Sequence, residues 1–117
     1  MCCGAIISNY QRHRVENVCK RLDFTSLSYL WQRNRVHLLD YLISNDVTAV
    51  LVKVSGYGLN PRKHLNKTLA EMKMILHNNN RKYGLDVCGE GGEYESLVLV
   101  SIVVFRLHSI STEEAVL

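Results

Sequence analysis

The sequence predicts an α/β fold: a partial three-layer sandwich built on a largely parallel sheet. Two observations predict it. Apolar strand-like runs alternate with helical periodicity in the order strand, helix, strand, helix, strand, helix, strand. The clearest run, Val47 to Val54, is almost continuously apolar and β-branched, the pattern of a strand buried on both faces of a parallel sheet. No internal repeat or low-complexity linker interrupts the alternation.

In chain order, Gly4 to Ile7 reads as the end of a strand. Ser8 reads as the N-cap of a first helix, with Gln11 completing a capping box. That helix runs to about Leu22 and turns Val15, Val18, Cys19 and Leu22 inward. Arg12, Glu16 and Lys20 recur at one-turn spacing, whereas Arg12 and Arg14 point to different faces. Ser26 to Leu30 reads as a short strand, followed by Trp31, which is either core or the wall of a ligand crevice. Asn34 caps a second helix, Arg35 to about Ser44, with Val36, Leu39, Leu42 and Ile43 inward.

Lys53 interrupts the Val47–Val54 run near its carboxyl end, where ligands of open α/β sheets bind. Lys53, Gly56 and Gly58 are therefore candidates for a site mouth, against the alternative that Lys53 extends to solvent. Asn60-Pro61 reads as a helix start, and the third helix spans roughly His64 to Tyr83. Leu65, Leu69, Met72, Ile75 and Leu76 form its inner stripe, and Gly84 its C-cap. The run Asn78-Asn79-Asn80 favours fraying or an early stop. Leu85 to Cys88 and Leu97 to Val104 read as the last strands.

Between those two lies Gly89-Glu90-Gly91-Gly92-Glu93-Tyr94-Glu95, three glycines and three glutamates in seven residues. Two readings stand: a solvated acidic hairpin loop, or a rigid turn presenting carboxylates to a cation, a metal or a donor-rich substrate. Charge is uneven around it. Residues 1–85 hold 13 of the 14 Lys and Arg and five of the 11 Asp and Glu. Such a basic body facing an acidic loop suits a polyanion, ATP or RNA. The sequence shows no RNA-binding signature, and no nucleic-acid partner is expected.

At 117 residues and 47% apolar composition, the chain is one small domain or part of a larger one. No run approaches the roughly 20 apolar residues of a membrane helix. The first residues lack a signal-peptide pattern, so a cytoplasmic protein with no membrane partner is expected. The four cysteines at 2, 3, 19 and 88 read as free thiols, and no metal site is expected from their spacing.

The glycine–glutamate stretch also carries a resemblance. Gly89-Glu90-Gly91-Gly92-Glu93-Tyr94-Glu95 looks like the signature of the diphthine–ammonia ligase (diphthamide synthase) family. Gly4-Ala5-Ile6, Tyr10-Gln11-Arg12, Arg14 to Cys19, Leu30 to Arg33, Lys53-Val54, Gly58-Leu59, His64-Leu65, Lys67 to Leu69 and Lys82 to Gly84 match in the same order. The resemblance runs from Gly4 to about Leu99 and implies the adenine-nucleotide alpha-hydrolase-like, PP-loop fold. It implies ATP-dependent amidation of diphthine on translation elongation factor 2, with ATP, Mg2+ and ammonium as co-reactants.

Diphthine carries a trimethylammonium group and a carboxylate. The resemblance thus makes Gly89 to Glu95 a substrate-binding stretch. Glu90, Glu93 or Glu95 would face the quaternary cation, with Tyr94, Tyr57 or Trp31 as ring face, or hold ammonium or magnesium instead. The family's Ser-Gly-Gly-Lys-Asp-Ser type phosphate loop and first strand are missing from this sequence, and the likeness stops near Val100. The expected organisation is a partial ligase-like domain over 1–99 and a divergent strand and tail over 100–117. The expectation is a truncated product, inactive by itself, or a non-catalytic binding domain.

Overall fold

The computed structural model describes residues 1–101. Its elements run α1 (Asn9–Arg21), α2 (Arg35–Ser44), β1 (Thr48–Val54), α3 (Pro61–His64), α4 (Leu69–Tyr83) and β2 (Tyr94–Val100). The class is α/β, but the sheet differs from the expected one. Among the described residues it has two strands, and β1 pairs with β2 antiparallel. The far half of the expected last strand and nearly all of the 100–117 tail lie outside the described residues.

The expectation of a parallel sheet rested on the unbroken apolar run of β1. In the structure that run has a buried and an open face. Ala49, Leu51 and Val54 are buried, whereas Val50 is only half-buried and Val52 is exposed. A bulge between Leu51 and Lys53 takes Val52 out of register and places Val52 and Lys53 both outward. The other edge of β1 is covered by the turn before α4. There Leu51 N–H donates to Lys67 O (2.9 Å) and Asn66 N–H donates to Leu51 O (2.9 Å). One hydrogen-bonded edge faces a strand and the other a loop, an arrangement that apolar periodicity does not encode.

The core lies on the inner face of this hairpin. Leu39 from α2, Ala49, Leu51 and Val54 from β1, and Leu69, Met72 and Leu76 from α4 pack with Leu85, Val87 and Tyr94. The expected strand at Leu85 to Cys88 is a buried turn instead; Gly4 to Ile7 forms no strand, and of Ser26 to Leu30 only Leu27 pairs, in an isolated bridge with Cys2. All four cysteines are free.

The helices follow their caps closely. Ser8 Oγ accepts the Gln11 N–H (3.3 Å) at the start of α1, and Asn34 Oδ1 accepts the His37 N–H (3.1 Å) at the start of α2. Only Cys19 of the expected α1 stripe is buried, while Val18 and Leu22 are exposed. The expected third helix is two. Asn66, at φ 62°, separates α3 from α4 and leaves Leu65 exposed. Thr68 and Glu71 then form a full capping box for α4. Gly84, at φ 70°, ends α4. The asparagine triplet does not break α4: Asn79 packs against Gly58, and Asn80 Nδ2 donates to Leu85 O (2.8 Å). Among the described residues, no helix is long and apolar enough to cross a membrane.

Candidate functional site

The acidic stretch forms a tight loop between α4 and β2. Asp86 starts it: Oδ1 accepts the Cys88 N–H (2.9 Å) and the Asp86 carbonyl accepts the Gly89 N–H (3.0 Å). Gly89 takes φ 74°, and a Cβ there would meet Tyr94 O at 2.9 Å, so the turn needs glycine twice over. Glu93 closes the loop from inside. Its Oε1 accepts the Asp86 N–H (3.1 Å) and its Oε2 accepts the Gly91 N–H (2.9 Å).

The loop is then fastened to the end of β1. The Glu93 carbonyl accepts two N–H groups, from Ser55 (2.9 Å) and Gly56 (2.7 Å). Ser55 Oγ donates to Gly92 O at 2.6 Å. Gly56 is required by contact: a Cβ there would stand 2.7 Å from Glu93 Cβ. Tyr94 is buried beneath, its hydroxyl donating to Val87 O at 2.6 Å. Burial first, then nearby Cys88 and the acidic groups, pushes that hydroxyl's pKa up, so it stays a neutral donor.

The three glutamates therefore differ. Glu93 has both oxygens committed to its own loop. Glu95 pairs across the hairpin with Lys53 (2.8 Å), and both side chains are 61% exposed. Glu90 is half-buried and makes one long hydrogen bond among the described residues, accepting the Ile7 N–H at 3.4 Å. Beside them Arg35 pairs with Asp86, and Cys88 Sγ donates to Arg35 O at 3.3 Å. Burial, then Asp86 and Glu90, pushes the Cys88 thiol up to about 12, so its neutral form is favoured.

Glu90 leads to a second group of residues, of which sequence reasoning considered Trp31 and Arg12 for the site but not Ile6, Ile7 or Gln32. Ile6 and Ile7 lie between Glu90 on one side and Gln32 on the other, whose N–H donates to Ile6 O at 2.8 Å. Trp31, next to Gln32, carries the Arg12 guanidinium on its ring face, 4.3 Å from the centroid. Glu16 lies 3.3 Å from Arg12 Nε. Arg14 instead turns outward onto the Tyr10 ring. The one-turn spacing of Arg12 and Glu16 signals their pairing; the contact with Trp31 is tertiary and has no sequence signal.

Two further candidates lie elsewhere. At Gly58, with φ 82°, a Cβ would meet Asn79 Nδ2 at 2.8 Å, so this glycine serves the packing of α4. Tyr57 is 77% exposed and meets Tyr83 edge-on at 4.9 Å. An open apolar groove of about 640 Å³ runs along Tyr29, Arg33, His37 and Tyr41, and no residue of the acidic loop lines it.

Comparison with known proteins places this loop. Residues 34–115 match the diphthamide synthase C-terminal domain. The chain belongs to the diphthamide synthase C-terminal domain family. It is 51% identical over 114 residues to the diphthine–ammonia ligase of Rattus norvegicus, covering 97% of this chain and 43% of the relative. It is 56% identical over 96 residues to that of Homo sapiens, covering 82% of this chain and 36% of the relative. The Schizosaccharomyces pombe ligase is 50% identical over 113 residues, 97% of this chain and 18% of the relative. The chain thus spans less than half the length of these curated relatives.

The matched diphthamide synthase segment begins at the N-cap of α2 and contains the whole acidic loop with its anchors on Ser55 and Gly56. Arg12, Trp31 and the Ile6–Ile7 segment precede it, within the longer likeness to the rat and fission-yeast ligases.

Proposed function

We propose that this chain forms the substrate-holding part of a diphthine–ammonia ligase, the ATP-dependent enzyme that converts the diphthine carboxylate on translation elongation factor 2 to an amide. The reading rests on the relatives' names and on one observation: Glu90 is the half-buried glutamate of the loop whose carboxylate is least occupied by the protein. In this reading Glu90 faces the trimethylammonium group of diphthine. Glu93 holds the loop shape, and Ser55 and Gly56 fix it to β1. Tyr94 supports the loop from beneath and offers no ring to the ligand.

ATP is placed in a PP-loop-type site outside residues 53–58. Lys53 is paired with Glu95, and the open sides of Gly56 and Gly58 are filled by Glu93 and Asn79. These residues do not fit a triphosphate, and no step is assigned to them. ATP would supply activation of the carboxylate; ammonia would then attack the acyl carbon, and the ATP-derived phosphate-bearing group would leave. The setting is cytoplasmic.

The test is a chimera of the fission-yeast ligase in which this chain replaces the aligned segment, expressed in cells lacking the ligase. Mass spectrometry of elongation factor 2 should show the amide, and Glu90→Gln should reduce it. Persistent unamidated diphthine with a folded, abundant chimera refutes the reading. A second reading is a binding domain without catalysis. It predicts tight capture of the diphthine-bearing protein with no turnover.

A further inference from the structure

We propose that the open edge of β2 is a self-association surface, which pairs antiparallel with β2 of a second copy of this chain. The proposal is independent of the ligase reading, because β2 beyond Tyr94 takes no part in the acidic loop.

Of the seven residues of β2, only Tyr94 is buried. Leu97, Val98, Leu99 and Val100 follow one another and are each more than half exposed. One edge of β2 pairs with β1, and the other has no partner strand among the described residues. Proteins commonly blunt such an edge with lysine or proline. Neither stands in β2, and its single charged residue, Glu95, is held by Lys53 on the neighbouring strand. The one irregularity near these residues, at Leu99, belongs to the ladder with β1. A two-stranded sheet is also marginal by itself, and further strands stabilise it.

The chain's own sequence does not supply that further strand. From Glu93 to Leu117 it contains no Gly, Pro, Asn or Asp, the residues that turn a hairpin. β2 is instead complementary to itself. An antiparallel register centred on Val98 sets Val98 against Val98 of the second copy, Leu97 against Leu99, and Ser96 against Val100. Glu95 then meets Ser101 rather than another carboxylate, so no like charges oppose each other.

The packing fits the same arrangement. Val98 is the register partner of Ala49 and shares its face, yet Ala49 is buried and Val98 is open. The core helices therefore cover β1 and stop short of β2. In a continuous four-stranded sheet, β1 and its copy stand about 14 Å apart. Helix layers about 10 Å across, one on each β1, would then sit side by side over the two Val98 side chains. Pairing also closes at two copies. The far edge of β1 is occupied, since Leu51 exchanges hydrogen bonds with Asn66 and Lys67 and Val50 bridges Thr68. The four apolar residues of both copies bury on the order of 700 Å² together, a small interface, so a micromolar rather than a nanomolar dimer is expected.

The test is sedimentation equilibrium of the 117-residue chain from about 1 to 100 μM, where a weak dimer changes population. A monomer–dimer equilibrium is expected. Val98→Lys and Val98→Glu should each raise the dissociation constant at least about tenfold, because like charges then face each other across the two-fold axis. An equimolar mixture of the two variants should recover a heterodimer. Val52→Lys, at an equally exposed apolar position of β1 away from the edge, should dimerise like the parent. A monomer at every concentration, open-ended aggregation, parent-like dimers of a folded Val98→Lys, or a mixture that stays monomeric would each overturn the proposal. If the Val98 variants fail to fold, amide hydrogen exchange of the parent decides. Protection of the β2 amides that rises with protein concentration supports the pairing, and protection independent of concentration overturns it.

Discussion

Glu93 accepts the Asp86 N–H at 3.1 Å across the acidic loop, and with its other oxygen the Gly91 N–H at 2.9 Å. The carboxylate at the centre of the glycine-rich stretch is therefore a brace. Glu93→Ala should lower stability by about 1–3 kcal/mol, because it strips an acceptor from two backbone donors. Glu90→Gln should change stability by less than about 0.5 kcal/mol. Urea unfolding followed by circular dichroism separates the two. Equal midpoints for Glu93→Ala and the parent would show that the loop holds without its brace.

Leu51 is fully buried at the centre of β1, within the core cluster that includes Leu39 of α2 and Met72 and Leu76 of α4. Leu51→Ala should cost about 2–5 kcal/mol, enough to unfold much of a small domain. Val50→Ala, half-buried on the other face, should cost clearly less. Thermal melts of the two variants test this ordering, and a reversed order would mean that the outer face of β1 is the packed one.

That pair shows where sequence reading reaches and where it stops. Local chemistry was legible: Ser8, Asn34 and Gly84 cap the helices as expected, since a cap depends on residues a few positions away. The split between α3 and α4 was signalled by Thr68 and Glu71, a capping box within an apparently continuous stripe. Sheet direction was not legible, because the apolar run of β1 fits either orientation until its partner is known. In the site, the glycines marked the tight turn. The different fates of Glu90, Glu93 and Glu95 depend on Ile7, Asp86 and Lys53, which the sequence places 83, seven and 42 residues away.

Asp40 ties α2 to α4, with Oδ1 taking His77 Nε2 at 2.9 Å and Lys73 Nζ at 3.0 Å. The hydrogen bond from His77, then that from Lys73, holds its pKa below the ordinary 3.8. A depressed aspartate pKa stabilises the fold above the unfolded value and loses that contribution as pH falls through the folded one. Asp40 is 44% exposed, so solvent screening keeps the effect small. Asp40→Asn should thus be less stable than the parent near pH 6 and approach it near about pH 2.5. Urea midpoints at both values check it; a gap independent of pH would leave the carboxylate without an ionic role.

The 117-residue chain by itself should not bind ATP at micromolar concentration. A triphosphate needs several converging backbone donors or a free lysine. The two N–H groups beside the candidate mouth, on Ser55 and Gly56, are both taken by the Glu93 carbonyl. Lys53 is taken by Glu95 at 2.8 Å, and the faces of Gly56 and Gly58 are filled by Glu93 and Asn79. Glu90 and Glu95 add negative charge where phosphates would have to approach, and Coulomb repulsion at about 4 Å costs on the order of 1–4 kcal/mol per pair. Magnesium could offset part of this, so the titration is run with the metal present. Isothermal calorimetry with Mg2+ and ATP should show no saturable heat, and Lys53→Ala should leave the trace unchanged. One-site micromolar binding abolished by Lys53→Ala would instead put the phosphates at the end of β1 and require the Lys53–Glu95 pair to open for them.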